Sequence, residues 1–284
     1  MRFLVFTCAL IALVSSLTTA APAQAFAGTW SIAPTDAVGK VQLRMDYRSA
    51  NGNDTWSESE DVPISELRGL SMADVRSSGR KTFSINQDAG QFIAEGVFSA
   101  GQGGGTWTFV PNASFAAELR RRGIGSPTTQ QQFQLAMGRF KFTTLDALLR
   151  SGFQRPTTGD LVSMVEHGVS EQFVAAMKGL SFDPRTVAAL ITLRDHGVTP
   201  QFLKRLANAG YANLNAAQAQ QMVDHGVTGD YVDGLRRLGY RPSVDDLVRL
   251  VDHGVTIAFL QRMRSHGYTH LSVDELIRLR DHGF

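Results

Sequence analysis

Apolar and polar positions follow two different periods along the chain, and the change falls at Pro111-Asn112. Before that point the period is two. Residues 40–48 show it most cleanly, with Val41, Leu43, Met45 and Tyr47 on one face and Gln42, Arg44, Asp46 and Arg48 on the other, the pattern of a strand with one buried face. Further strands are expected at Gly28 to Ile32, Thr55 to Glu60, Lys81 to Asn86, Gln91 to Ser99 and Thr106 to Val110. Ser65 to Val75 reads as either a short helix or a loop. Six strands in this space predict a small antiparallel sandwich or a partly open barrel. After Asn112 the period is 3.6. In the stretch Ser243 to Tyr268, Ser243 is an N-cap and Leu247, Leu250 and Val251 form one apolar stripe. Gly254 then suits the left-handed position after the helix, with Val255 folding back onto it. Thr256 opens a second helix that buries Phe259, Leu260 and Met263.

This unit recurs. Asp-His-Gly-Val-Thr begins at Asp195, Asp224 and Asp252, with a variant at Glu166 and a last copy at Asp281. The histidines are His167, His196, His225, His253 and His282, so the steps are 29, 29, 28 and 29 residues. Each is followed by a glycine: Gly168, Gly197, Gly226, Gly254 and Gly283. A fixed period of this length marks a repeat array, in which each unit buries its apolar face on its neighbours. An aromatic marker in the second helix carries the period back from Phe202 through Phe173 and Thr144 to Phe115, so the array starts near Asn112. The unit from Gln130 to Gly152 is degenerate, with Gly138 and Arg139 in place of the His-Gly pair. The fold class expected is α+β in two domains: an antiparallel β domain over 26–111, then an all-α helical-hairpin solenoid of 28–29-residue repeats over 112–284. Twelve short helices are predicted, the last an unpaired half-unit (Ser272 to Gly283) that caps the stack.

Residues 1–25 read as an export signal. Arg2 is the basic start, Phe3 to Val14 the apolar run, and Ala23-Gln24-Ala25 the cleavage site. The run is too short to span a bilayer, so the mature protein is expected in the periplasm or outside the cell without stable membrane insertion. Cys8, the single cysteine, would leave with the signal, which removes disulfide and thiolate chemistry. The formal charge is +2, and +1 once Arg2 is lost. From Ser151 onward fourteen Lys/Arg balance fourteen Asp/Glu. Such neutrality argues against nucleic acid as a partner, and Arg120-Arg121-Arg122 is expected to be a solvated helix face.

No stretch has the form of a catalytic, cofactor or metal site. The run Gly101-Gln102-Gly103-Gly104-Gly105 leads into another strand rather than a Lys-Ser/Thr helix start, so a hairpin is expected there and not a phosphate loop. Equivalent histidines on stacked helices stand about 8–10 Å apart and point the same way, and a parallel row cannot converge on one ion. They are expected to be structural, bonding the last carbonyls of their helices. The acid before each histidine is disfavoured by the helix dipole. It is expected to contact a cap or an arginine of the adjacent unit, such as Arg249 or Arg278.

The segments Gly90 to Phe98 (Gly-Gln-Phe-Ile-Ala-Glu-Gly-Val-Phe) and Trp107 to Pro111, followed by His-Gly-Val repeats, resemble the extracytoplasmic tails of bacterial sensor metallopeptidases of the BlaR/MecR type. That family's zinc motif and multi-span membrane domain are absent from this sequence, so the resemblance implies an envelope sensing or interaction role and no peptidase activity. The function expected is that of a non-enzymatic exported binding or scaffold protein, its partner a protein or peptide held on the helical array. The runner-up is a small apolar ligand enclosed by the β domain, suggested by Trp30, Trp56 and Trp107.

Overall fold

Seven strands pair into one antiparallel sheet: β1 (Ala27–Pro34), β2 (Lys40–Arg48), β3 (Thr55–Pro63), β4 (Leu67–Arg68), β5 (Gly79–Gln87), β6 (Gly90–Ser99) and β7 (Gln102–Pro111), in the order β3-β2-β1-β7-β6-β5-β4. The computed structural model describes residues 26–49, 52, 55–178, 180–181 and 185–283. Residues 1–25, expected to be an export signal, lie outside them. The six expected strands are all present, joined by the two-residue β4, and Ser65 to Val75 holds that strand, part of a 3-10 turn and most of the short helix α1 (Met72–Arg76). Of the two expected forms the partly open barrel is the one found, not the sandwich: one sheet curls into a half-barrel, and among the described residues no second sheet covers it.

The alternation predicted in β2 is the alternation observed, with Val41, Leu43 and Met45 buried. Their row continues across the sheet through Trp30, Ile32, Phe83, Phe92, Phe98, Trp107 and Phe109, all buried. The indole N–H of Trp30 donates to the Glu95 and Thr106 carbonyls at 3.2 and 3.1 Å. Gly96 makes this possible, because a Cβ there would lie 2.5 Å from the Trp30 ring. The glycine run is a hairpin as expected: Ala100 and Gly101 both take positive φ and join β6 to β7, the geometry that matches strand twist.

Twelve further helices follow: α2 (Ala113–Arg121), α3 (Thr129–Met137), α4 (Phe142–Arg150), α5 (Thr158–Glu166), α6 (Glu171–Met177), α7 (Val187–Asp195), α8 (Pro200–Asn208), α9 (Ala216–Asp224), α10 (Gly229–Arg237), α11 (Val244–Asp252), α12 (Ile257–Ser265) and α13 (Val273–Asp281). At seven to nine residues each is too short to persist alone. They stack in two rows, α3-α5-α7-α9-α11-α13 and α4-α6-α8-α10-α12. All but α4 open on a Ser, Thr or Asn whose side chain accepts a first-turn amide. At α4 the N-cap is Lys141, and the Phe142 amide instead donates to the Asp88 carboxylate of the sheet at 3.4 Å.

Sheet and array share a core. Phe133 of α3 stacks on Phe26 at 4.5 Å between ring centroids and touches Tyr47, Phe92, Trp107 and Phe109. Beside it the buried Gln132 amide donates to the Ala89 and Asn112 carbonyls. Helix α3 therefore closes the mouth of the half-barrel.

The arginine triplet is more than a solvated face. Arg121 and Arg122 both donate to Glu118, and Arg122 also reaches Asp146 of α4. These guanidinium bonds, Arg121 first, bring the Glu118 carboxyl from 4.5 to about 2. The Ser71 hydroxyl and then Lys81 bring Asp74 from 3.8 to about 2. A carboxyl depressed in the folded state stabilises fully above its unfolded pKa, and the contribution disappears as pH falls through the folded value. The melting temperature is thus expected to drop between pH 4.5 and about 2, and Glu118→Gln should flatten part of that drop. An unchanged acid limb in the variant would mean the triplet contributes nothing.

Candidate functional site

The repeat residues are the first candidates. Each histidine is the C-cap of an odd-numbered helix, and Gly168, Gly197, Gly226, Gly254 and Gly283 follow with φ of 67, 77, 74, 67 and 87°. At Gly226 the amide donates to the Val223 carbonyl (2.9 Å) and the next amide, of Val227, donates to Met222 (2.8 Å). This closes the helix in the predicted way.

The histidine side chains do something the sequence reading did not anticipate. Each ring Nδ1 meets the acid of the following unit: His167 with Asp195 at 2.8 Å, His196 with Asp224 at 2.7 Å, His225 with Asp252 at 2.9 Å and His253 with Asp281 at 3.0 Å. The acid's partner is therefore the preceding histidine, neither Arg249 nor Arg278. Arg249 instead bonds Asp246 and Asp274, at the starts of α11 and α13. An acid in the last helical turn faces the negative end of the dipole, and the bond across the unit boundary compensates it. At Asp224 the bond from His196, with help from Gln220, holds the carboxyl below its usual range.

The row begins in a way that fits. Glu166 has a glycine, Gly138, where its histidine would stand, and receives the Gln134 amide at 3.2 Å instead. Arginines complete the splices: Arg194 donates to the Gly168 carbonyl, Arg280 to Gly254, Arg185 to Ser151 and Arg236 to Asn208. These pairs are 38–47% exposed, and each His–Asp pair is spent on a neighbour. The ladder joins units; among the described residues no three His, Cys, Asp or Glu converge as a metal site.

A second candidate lies where the array meets the sheet. A cleft of about 560 Å³ opens between edge strand β3 and helices α3 and α5. Phe26 and Phe133 form its buried floor, Tyr47, Trp56, Met137 and Val165 its half-buried walls, and Glu58, Gln130, Gln134 and Glu166 its polar rim. A smaller recess continues from it past Met137 and Trp56 to Glu60 and Arg139. The degenerate repeat makes the space. Gly138 has no side chain, and a Cβ there would meet Val165 at 2.5 Å. Arg139, at φ 52°, leaves the array to bond Glu60 and Glu66.

The three tryptophans separate here. Trp30 and Trp107 are core residues whose N–H groups bond strand carbonyls. Trp56 is half-buried in the cleft. Sequence reasoning missed the cleft because about half its residues come from the helical array, far along the chain from β3. The signal available was the place where the repeat loses its histidine. No family model matches the chain, and no curated protein or solved structure gives a significant match to it.

Proposed function

We propose that the chain is a non-enzymatic, exported binding protein in which the helical array is the scaffold and the cleft at its first units is the ligand site. One observation carries this reading: a cleft of about 560 Å³ with four aromatic side chains in its floor and walls and a short polar rim, the size and lining usual for small-molecule sites. Export rests on residues 1–25 and agrees with the envelope role that the BlaR/MecR-type resemblance implies. The further array surface remains the place for a protein or peptide partner, but it ranks second. Tyr268 is the one large apolar side chain exposed on it among the described residues, whereas protein interfaces are anchored by buried aromatic clusters.

The neutral dye N-phenyl-1-naphthylamine is expected to bind saturably with enhanced emission, and Trp56→Ala to weaken it about tenfold or more, since a stacked aromatic wall supplies on the order of 1–2 kcal/mol. Saturable binding that ignores Trp56→Ala, or no binding, would refute the cleft as the site.

A further inference from the structure

The inner row of β3 departs from the rest of the sheet. Cross-strand partners share a face, and Trp56, Glu58, Glu60 and Val62 stand opposite Tyr47, Met45, Leu43 and Val41. Where β2 buries Met45 and Leu43, β3 places two carboxylates on the same face, Glu60 half-buried and Glu58 exposed at the rim of the cleft. Glu60 is answered by the guanidinium of Arg139, delivered from the turn after α3. Glu58, one step along the same row and next to Trp56, has no cation partner among the described residues. No Lys or Arg lines the cleft beside it. From the helical side Glu166 adds a second carboxylate, whose one bond among the described residues is from the Gln134 amide.

We propose that the cleft takes a small organic cation: an ammonium or guanidinium group on an apolar body, the charge at Glu58 and the hydrocarbon against Trp56, Tyr47 and Phe26. The ligand would do for Glu58 what Arg139 does for Glu60. Two carboxylates repel an anion, and Arg139 in the adjoining recess is already held by Glu60 and Glu66, while aromatic rings attract a cation as well as hydrocarbon. This inference rests on the cleft being the ligand site. The competing reason for an inward acid on an edge strand is protection against strand addition, which predicts self-association and not altered binding when the acid is removed.

The test is displacement of N-phenyl-1-naphthylamine from the full chain by benzylammonium, benzyl alcohol and benzoate, which share a ring and differ in charge. Benzylammonium is expected to compete at about tenfold lower concentration than benzyl alcohol, with benzoate weakest. Glu58→Gln, nearly isosteric, should erase that preference at an unchanged melting temperature. Nα-acetyl-lysine amide distinguishes the source: competition stronger than benzylammonium assigns the cation to a peptide side chain, weaker competition to a free amine. If benzyl alcohol competes equally, or Glu58→Gln keeps the preference and only self-associates, the cation is wrong while the cleft stands. If the dye itself ignores Trp56→Ala, both fall.

Discussion

Phe133→Ala is expected to remove about 3–5 kcal/mol of stability, the usual cost of deleting a fully packed phenylalanine, and to be the most damaging single truncation at the junction. Phe133 is 5% exposed and meets five aromatic residues of the β part. A half-barrel has no second sheet to cover its concave side, so α3 performs that task, and the alanine would leave a cavity over Phe26, Tyr47 and Trp107. Neighbouring bonds hold the helix in place: Gln132 to two carbonyls, Arg139 to Glu60 and Glu66, Lys141 to Asp88. They limit how far the site can collapse, which keeps the cavity cost high. Chemical denaturation read by tryptophan emission reports the sheet directly, because Trp30, Trp56 and Trp107 all lie there. A loss under about 1 kcal/mol, the middle of the range for ordinary substitutions, would show that the sheet does not depend on the array.

That dependence is the part of the fold the sequence concealed. Local signals were plain. The alternation of β2, the capping Ser, Thr and Asn residues and the glycine after each histidine are set by nearest neighbours, and every array helix but α4, whose N-cap is Lys141, opens on such a cap. What closes the sheet is not local. Phe133 occupies an ordinary stripe position in a degenerate repeat, and nothing within its helix distinguishes packing on α5 from packing on strands. The inward direction of Glu58 and Glu60 was hidden for a similar reason: Thr55 to Glu60 reads as a strand in either facing, and only pairing with β2 fixes the parity.

The His–Asp ladder was nearer to hand. An acid recurring where the dipole disfavours it called for a partner at one fixed distance along a solenoid. The histidine of the preceding unit, 27–28 residues back, is the group every full copy supplies. Arg249 and Arg278 seemed better partners by charge alone, but stacking aligns like with like, and helix ends face helix ends. Arg249 sits mid-helix, within reach of the neighbour's first turn, where Asp274 is.

Gly226→Val is the second large effect, expected to cost on the order of 1–3 kcal/mol because a β-branched residue is held at a left-handed backbone. Gly226 has φ 74°, and an added Cβ would find Val251 at 4.0 Å, an ordinary contact. The penalty is therefore conformational and not a clash. Gly226→Asn should consequently recover much of the loss, since asparagine tolerates that region. His225→Ala leaves the backbone turn intact and removes an exposed pair with Asp252, 43% and 45% accessible, so it should cost about 1 kcal/mol or less. Because stability in a solenoid is largely nearest-neighbour, hydrogen exchange in Gly226→Val should rise in α9, α10 and α11 and stay unchanged in β5 to β7. Should His225→Ala prove the more damaging of the two, or abolish ligand binding in a protein that still melts normally, the ladder would be a functional site and not the splice between repeats that its geometry describes.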